Sequence, residues 1–426
     1  MRVLTIEDVL AVPVTGGYFS DDQAAIKAGA RRDGLTYPGV PATPGFEFIR
    51  EPATAVSVLL VLSDGYVAHG DCVSVQYSGV GGRAARLRAD ALAGGFSEHA
   101  ALVLRGRTVT AFRPATGVID ELAASVDGFG TAAGYGLSQA LLDATAHCAG
   151  CTMADVVQAE WGLEGPLERV PVFAQTGEER VSNVDKMIMK RVDSLPHGLI
   201  NEPSLVGEDG TALNDYVRWV RERVERLRTS DSYAPILHFD VYGLLGTVAG
   251  GDLSRVAEIL TALERAAAPF ALRVEHPVDA GSRDGQISAL VALRGLLAER
   301  ASSVEIVADE WANTVEDIRA FNRARAADVI QIKAPDLGSV HHIVDAVIDC
   351  RQHGVVAHLG GSCCETDRSA QVCVHVALGA HADQVLAKPG MGVDEGLSIV
   401  RNEMERTLRL SRALCRRAAR HPQETP

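Results

Sequence analysis

Four residues in the second half of the chain could do acid–base chemistry together. Asp240, Glu275, Asp309 and Lys333 each close a short apolar run, PILHFD, FALRVE, VEIVAD and DVIQIK. The carboxylates follow one another at roughly 35 residues, the length of one strand, one helix and two short loops. That spacing assigns them to successive βα units. A carboxylate at the carboxyl end of a buried parallel strand is costly to desolvate, and three converging on one face of a barrel repel unless a cation holds them. Oxygen-only ligands suit Mg2+. Strand geometry then places the base. Alternate residues point the same way, so Gln331 and Lys333 share a face, as do His238 and Asp240. A desolvated lysine beside a cation is expected to titrate low enough to act as a general base. A single strand-end Asp is as often a helix N-cap or turn residue, but four such residues in register are not explained that way.

The elements that must hold these residues begin near Val170. VPVFAQ, HGLIN, PILHFDVYG, FALRVEHP, VEIVADE, DVIQIKAP, VVAHLGG and QVLAKPG read as strands, separated by amphipathic runs such as LSRVAEILTALERA. Eight strands interleaved with helices argue for a (β/α)8 barrel, with a modified second unit because HGLIN is weak. From about Val393 the tail reads as a helix. Residues 1–165 do not alternate in this way. SVLLVLSDGYVAHGDCVSVQY holds two strand-like runs joined at Asp64-Gly65, a hairpin signal, and helical patterns follow. The expected organisation is therefore an N-terminal α+β capping domain over 1–165 and a catalytic (β/α)8 TIM barrel with a C-terminal helix over 166–426.

Bulk composition narrows the function. A hydrophobic share of 47% with 23% charged residues permits a large core, and a net charge of −14 argues against nucleic acid or an anionic membrane as partner. The apolar stretch at 53–62, ATAVSVLLVL, is far short of the roughly 20 residues of a membrane span. RVLTIEDVLAVPV does not resemble a signal peptide, so the expected location is cytoplasmic. Eight scattered cysteines suit a reducing compartment. Cys148 and Cys151 form a CxxC in a helical pattern with no second CxxC, which favours structural thiols over a zinc site. Gly79, Gly81 and Gly82 in SGVGGR lack the GK[ST] of a phosphate loop, and read as a mobile mouth loop that brings Gln76 near a substrate. His341-His342 read as packing residues of a barrel helix, and Cys364 has no local base to make it a nucleophile.

The barrel with Asp, Glu, Asp and Lys on consecutive strands resembles the enolase superfamily. More specifically, FAQTGEER, LPHGLINE, HFDVYG, EHPVD, VADEW, QIKAPDLG, GGSCCETD and LAKPGMGVDEG together resemble methylaspartate ammonia-lyase, as does GDCVSVQYSGVGGR in the N-terminal part. The resemblance implies an enolase-like fold and elimination of ammonia from L-threo-3-methylaspartate to give mesaconate. It makes Asp240, Glu275 and Asp309 the Mg2+ ligands and Lys333 the base that removes the C3 proton. His197 becomes its partner on the opposite face of the substrate, and Gln175, Gln331, Ser362, Cys363 and Gln76 become substrate contacts. It also implies a monovalent cation such as K+ as a second activator. The departure is at the seventh strand, where the family pattern is Gly-Gly-Thr-Cys-Asn-Glu and this chain has Gly360-Gly361-Ser362-Cys363-Cys364-Glu365. Removing a proton beside a carboxylate builds a dianionic aci-carboxylate, so a divalent cation there is the largest expected aid. Two readings stay open: an acid-sugar dehydratase or cycloisomerase on the same scaffold, and a non-catalytic barrel, which unused buried charges would destabilise. The expected partners are a small amino-acid substrate and a second copy in a homodimer, since capped barrels often pair.

Overall fold

The computed structural model describes residues 2–126 and 128–420. Four strands, β1 (Leu4–Asp21), β2 (Arg50–Leu62), β3 (Val67–Cys72) and β4 (Thr108–Val109), form an antiparallel sheet in the order β3-β2-β1-β4. β2 alternates as a half-covered strand should, with Val56, Val58, Leu60 and Leu62 fully buried. β2 and β3 turn at Asp64-Gly65, as the hairpin signal predicts. The longest strand, β1, escaped the sequence reading. Glu7, Leu10 and Pro13 face solvent, so its run carries no clean apolar stripe, yet it pairs with β2 from Ile6 to Asp21.

The helix Thr131–Ala149 lies across β3 and is buried on nearly every side. Its approach requires two glycines: a Cβ on Gly70 would run into the Gly136 carbonyl, and one on Gly136 would run into Cys72. The same helix reaches the second half of the chain, where Val340 N–H donates to Ser138 Oγ at 2.9 Å.

Eight parallel strands close the barrel in chain order: β5 (Val172–Phe173), β6 (Ser194–His197), β7 (Ile236–Asp240), β8 (Leu272–Glu275), β9 (Glu305–Ala308), β10 (Val329–Ile332), β11 (Val356–Leu359) and β12 (Gln384–Leu386), which returns to β5. The fold is the expected α/β barrel with an antiparallel α+β part at its N-terminal side, and Asp394–Arg420 forms the expected final helix. One strand is displaced from its expected place. HGLIN does not form β6; the strand is Ser194–His197, and only His197 belongs to both. Pro196 inside the strand masked it, because proline removes a ladder donor and reads as a break.

Candidate active site

The strand ends converge as the spacing requires. Asp240 and Glu275 are the last residues of β7 and β8 and stand side by side in register; Asp309 and Lys333 each follow the end of their strand by one residue. All lie at the carboxyl-terminal face, where the loops of a barrel assemble catalytic groups. Oxygens of Asp240, Glu275 and Asp309 all lie within 4.8 Å of one another, and the three side chains are buried. Burial, then the Asp240 and Asp309 charges, push Glu275 well above the usual carboxylate range. A donor set of three mutually repelling carboxylates fits a hard divalent cation.

Both oxygens of Glu275 are engaged. Oε2 lies 2.8 Å from His238 Nε2, and Oε1 accepts from the Gln331 amide. His238 stacks on Phe173 with ring centroids 4.2 Å apart, so the period-two rule placed it correctly inside the barrel.

Lys333 Nζ donates to Asp309 Oδ2 at 2.8 Å. Burial and the Arg83 charge push Lys333 down, but Asp309, Glu310 and Asp336 outweigh them and hold it above the ordinary lysine range. Glu310 and Asp336 are countercharges that the strand pattern does not reveal, and the lowering expected from the sequence belongs to the cation-bound site.

Arg83 is a functional neighbour that the sequence reading missed. Its guanidinium is buried and donates to Asp309 Oδ1 and Asp336 Oδ2 at 2.9 Å each and to Glu310 at 3.3 Å. Burial opposes ionisation of Glu310, but His276, 3.0 Å away, and Arg83 hold it well below the usual range. The segment expected to be a mobile mouth loop is thus fastened to the barrel. Asn313 also donates to the Gly81 carbonyl at 2.8 Å. The only signal in the sequence was a lone arginine at the end of a glycine run.

A tight cavity of about 40 Å³ lies above the carboxylates. Gln76, Gln175, His197, Asp240, Gln331, Lys333, Ser362 and Cys363, all anticipated, line it, and Glu275 and Asp309 lie behind Gln331 and Lys333. Tyr77, Tyr242 and His358 line it too and were not anticipated. His358 was detectable, since it stands opposite Gln331 in the β10–β11 register. His197 sits at positive φ, its Nδ1 accepts the Leu199 N–H at 3.3 Å, and its Nε2 points at Asp240 from 3.4 Å. With Nδ1 accepting, Nε2 is the ring nitrogen that carries the proton at the cavity. Gln175 Nε2 is buried without a partner, a donor aimed at the cavity wall.

The other sequence candidates do not line the cavity. Cys364 Sγ donates to the Phe19 carbonyl at 3.0 Å, and His341 and His342 bond to Ser339 and to the Leu337 carbonyl. Cys148 and Cys151 belong to no metal-binding group among the described residues.

His358 makes the site acid-sensitive. Burial, then the Arg273 and Lys388 charges, push it down to about 3 from the ordinary 6.5. Between those values an unfolded chain binds a proton that the folded one refuses, so stability is lost as pH falls from 6.5 toward 3. His358→Asn is expected to reduce the pH dependence of the melting temperature across that window by one group's share, since burial also pushes His238 and His341 down. An unchanged slope in the variant would assign the acid sensitivity to other groups.

Comparison with known proteins places these features in context. Two family models match, described as methylaspartate ammonia-lyase N-terminus over residues 4–162 and methylaspartate ammonia-lyase C-terminus over residues 166–413. The chain is similar to methylaspartate ammonia-lyase 1 of Carboxydothermus hydrogenoformans, at 49% identity over 95% of this chain and 96% of that protein. Its structure is similar to that of Citrobacter amalonaticus methylaspartate ammonia lyase containing (2S,3S)-3-methylaspartic acid, with a TM-score of 0.93 and 47% identity over 96% of this chain and 100% of the other. It is likewise similar to the Mg-complex of β-methylaspartase from Clostridium tetanomorphum, with a TM-score of 0.89 and 46% identity over 96% and 99% of the two chains. A more distant likeness, to muconate lactonizing enzyme of Pseudomonas fluorescens with a TM-score of 0.62 and 16% identity over 89% and 87%, concerns the fold alone.

Proposed function

The chain belongs to the methylaspartate ammonia-lyase family, and from that premise we propose how its own residues divide the work. It is a carbon–nitrogen lyase that eliminates ammonia from 3-methylaspartate to give mesaconate. The observation that carries the reading is the buried Asp240, Glu275 and Asp309 cluster with Lys333 bonded to its edge.

Asp240, Glu275 and Asp309 would hold Mg2+, which when bound neutralises charge building on the substrate carboxylate next to C3. Lys333 takes the C3 proton at Nζ and the C–H electron pair delocalises into the adjacent carboxylate; that pair then forms the C2=C3 bond as the C2–N bond breaks with its own pair leaving on nitrogen. A base must be neutral to accept a proton. Lys333 therefore works only when the Asp309 charge is turned away from it, since Asp309 and Glu310 are what keep it protonated. His197 faces the substrate from the other side and presents Nε2. Gln175 offers a free amide donor to a substrate carboxylate, and Gln331, a neutral amide, adds no charge to the acidic cluster. Gln76, Ser362 and Cys363 form the remaining wall: Gln76 N–H donates to Ser362 Oγ at 3.0 Å, and Cys363 Sγ donates to Gln76 Oε1 at 3.3 Å.

The finer parts of the reading belong to the same proposal. The division at 165/166 is supported by a sheet that ends at Val109 and barrel strands that begin at Val172. A cytoplasmic location is supported by eight unpaired thiols, and among the described residues no helix is long and apolar enough to cross a membrane. Homodimerisation and activation by K+ are the remaining parts.

The test is direct. With Mg2+ the full chain should convert 3-methylaspartate to mesaconate, read as ultraviolet absorbance of the enoate, and chelator should remove the activity until Mg2+ is restored. Preference for a sugar acid, or full activity in chelator, contradicts the proposal.

A further inference from the structure

Behind the Ser362–Cys363 wall lies a second ion-pair network that the reaction does not use. Lys388, just beyond β12, is fully buried. Its Nζ donates to the Gly360 carbonyl and to Glu365 Oε1, each at 2.7 Å, and lies 3.2 Å from Cys373 Sγ. Glu365, also fully buried, accepts three further bonds or shares: Oε1 takes the Ser362 N–H at 3.0 Å, Oε2 takes the Tyr135 O–H at 2.9 Å, and its backbone carbonyl takes the Gly17 N–H at 2.9 Å. Tyr135 belongs to the helix Thr131–Ala149, so the network joins the N-terminal part of the chain to the seventh and eighth barrel units. Gly361 sits directly on it. Its φ is +143°, and a Cβ there would run into both Lys388 Nζ and Glu365 Oε1.

The turn 360–365 is therefore anchored from behind at the Gly360 carbonyl and the Ser362 N–H, while its front carries Ser362 Oγ and Cys363 Sγ toward Gln76. Every hydrogen-bonding position of the Glu365 carboxylate that the turn needs is filled. A buried pair of this kind adds little net stability compared with an apolar replacement, and its best-attested role is to specify one arrangement. Burial works against a charged Lys388, but Cys373 and Glu365 outweigh it and keep the ammonium charged.

We propose that Lys388, Glu365 and Tyr135 are positioning residues that set the height of the 360–365 turn, and through it the placement of Ser362, Cys363 and Gln76 against the amino-acid substrate. The inference rests on the reading of Ser362 and Cys363 as substrate contacts. None of the three lines the cavity, and Tyr135 and Glu365 reach it through the turn.

Tyr135→Phe removes one hydroxyl and leaves the ring in the core, and Lys388→Met removes the charge at similar length. In the Mg2+-supplemented full-length enzyme, Tyr135→Phe should raise KM for 3-methylaspartate by about three- to tenfold, the effect of one lost hydrogen bond, with kcat changing less. Lys388→Met should lower kcat/KM by about a hundredfold, as expected for a misplaced wall. In a Ser362→Ala background Tyr135→Phe should add less than about a twofold further rise in KM, because the two changes act through one contact. A KM effect that is equal in both backgrounds, or a variant that melts earlier with KM unchanged, overturns the positioning role. Ser362→Ala alone with an unchanged KM overturns the substrate-contact reading beneath it, and that variant is scored independently of the network.

Discussion

Lys333→Ala is expected to lower turnover of (2S,3S)-3-methylaspartate by about 10²- to 10⁴-fold, the range of a general base, and to abolish exchange of its C3 proton with solvent deuterium. Its Nζ lies 2.8 Å from Asp309 Oδ2 and opens onto the cavity, where it is the only lysine among the described residues. His197→Ala should instead slow the reaction, or impair the opposite C3 configuration, while leaving that exchange detectable. The two side chains reach the cavity from different strands, β6 and β10, so a substrate held between them exposes one face to each. A structural confounder can be removed by titrating Mg2+ in both variants. Taking Lys333 away relieves Asp309 of a competing cation, so apparent Mg2+ affinity should hold or rise rather than fall. Equal loss of exchange in both variants for both diastereomers would end the two-face division of labour.

Arg83→Met is expected to destabilise the folded protein by about 3–5 kcal/mol, the usual result of removing one partner from a buried ionic group. Three carboxylates, Asp309, Glu310 and Asp336, share that guanidinium, and its side chain is only 1% exposed. Asp309 and Asp336 are already raised above the ordinary carboxylate range by burial, and Arg83 is among the charges opposing that rise. Without it they should take up protons, and the Gly81–Gly82 segment should lose its anchor. Denaturant midpoints with and without Mg2+ measure the effect. Asp336→Asn in the same series removes one carboxylate and should cost much less. A loss below about 1 kcal/mol for Arg83→Met, the range of an exposed pair, would show that the guanidinium is not holding this face together.

Much of this molecule was legible because its informative features are local. The repeat that brings an acid or a lysine to four successive strand ends depends on element lengths, and the face shared by Gln331 and Lys333 depends on the two-residue period of a strand. Both follow the chain wherever it goes. The same logic failed where local signals conflict: Pro196 concealed β6, and the two-sided exposure of β1 left no stripe to read.

Ion pairing was beyond reach of such reasoning. Arg83 meets partners 226 to 253 positions away, and Tyr135 meets Glu365 across 230, and neither has any preference written in its neighbours. The countercharges that face Lys333 were lost with them, because a buried charge responds to the sum of all charges around it rather than to its own strand. The sequence alone determined the barrel's alternation of strand and helix, the strand-end carboxylates and lysine that come together, and the family to which those residues point. Only the tertiary structure decided which countercharges surround them, since closing the barrel and laying the N-terminal part across it is what brings distant charges within bonding distance.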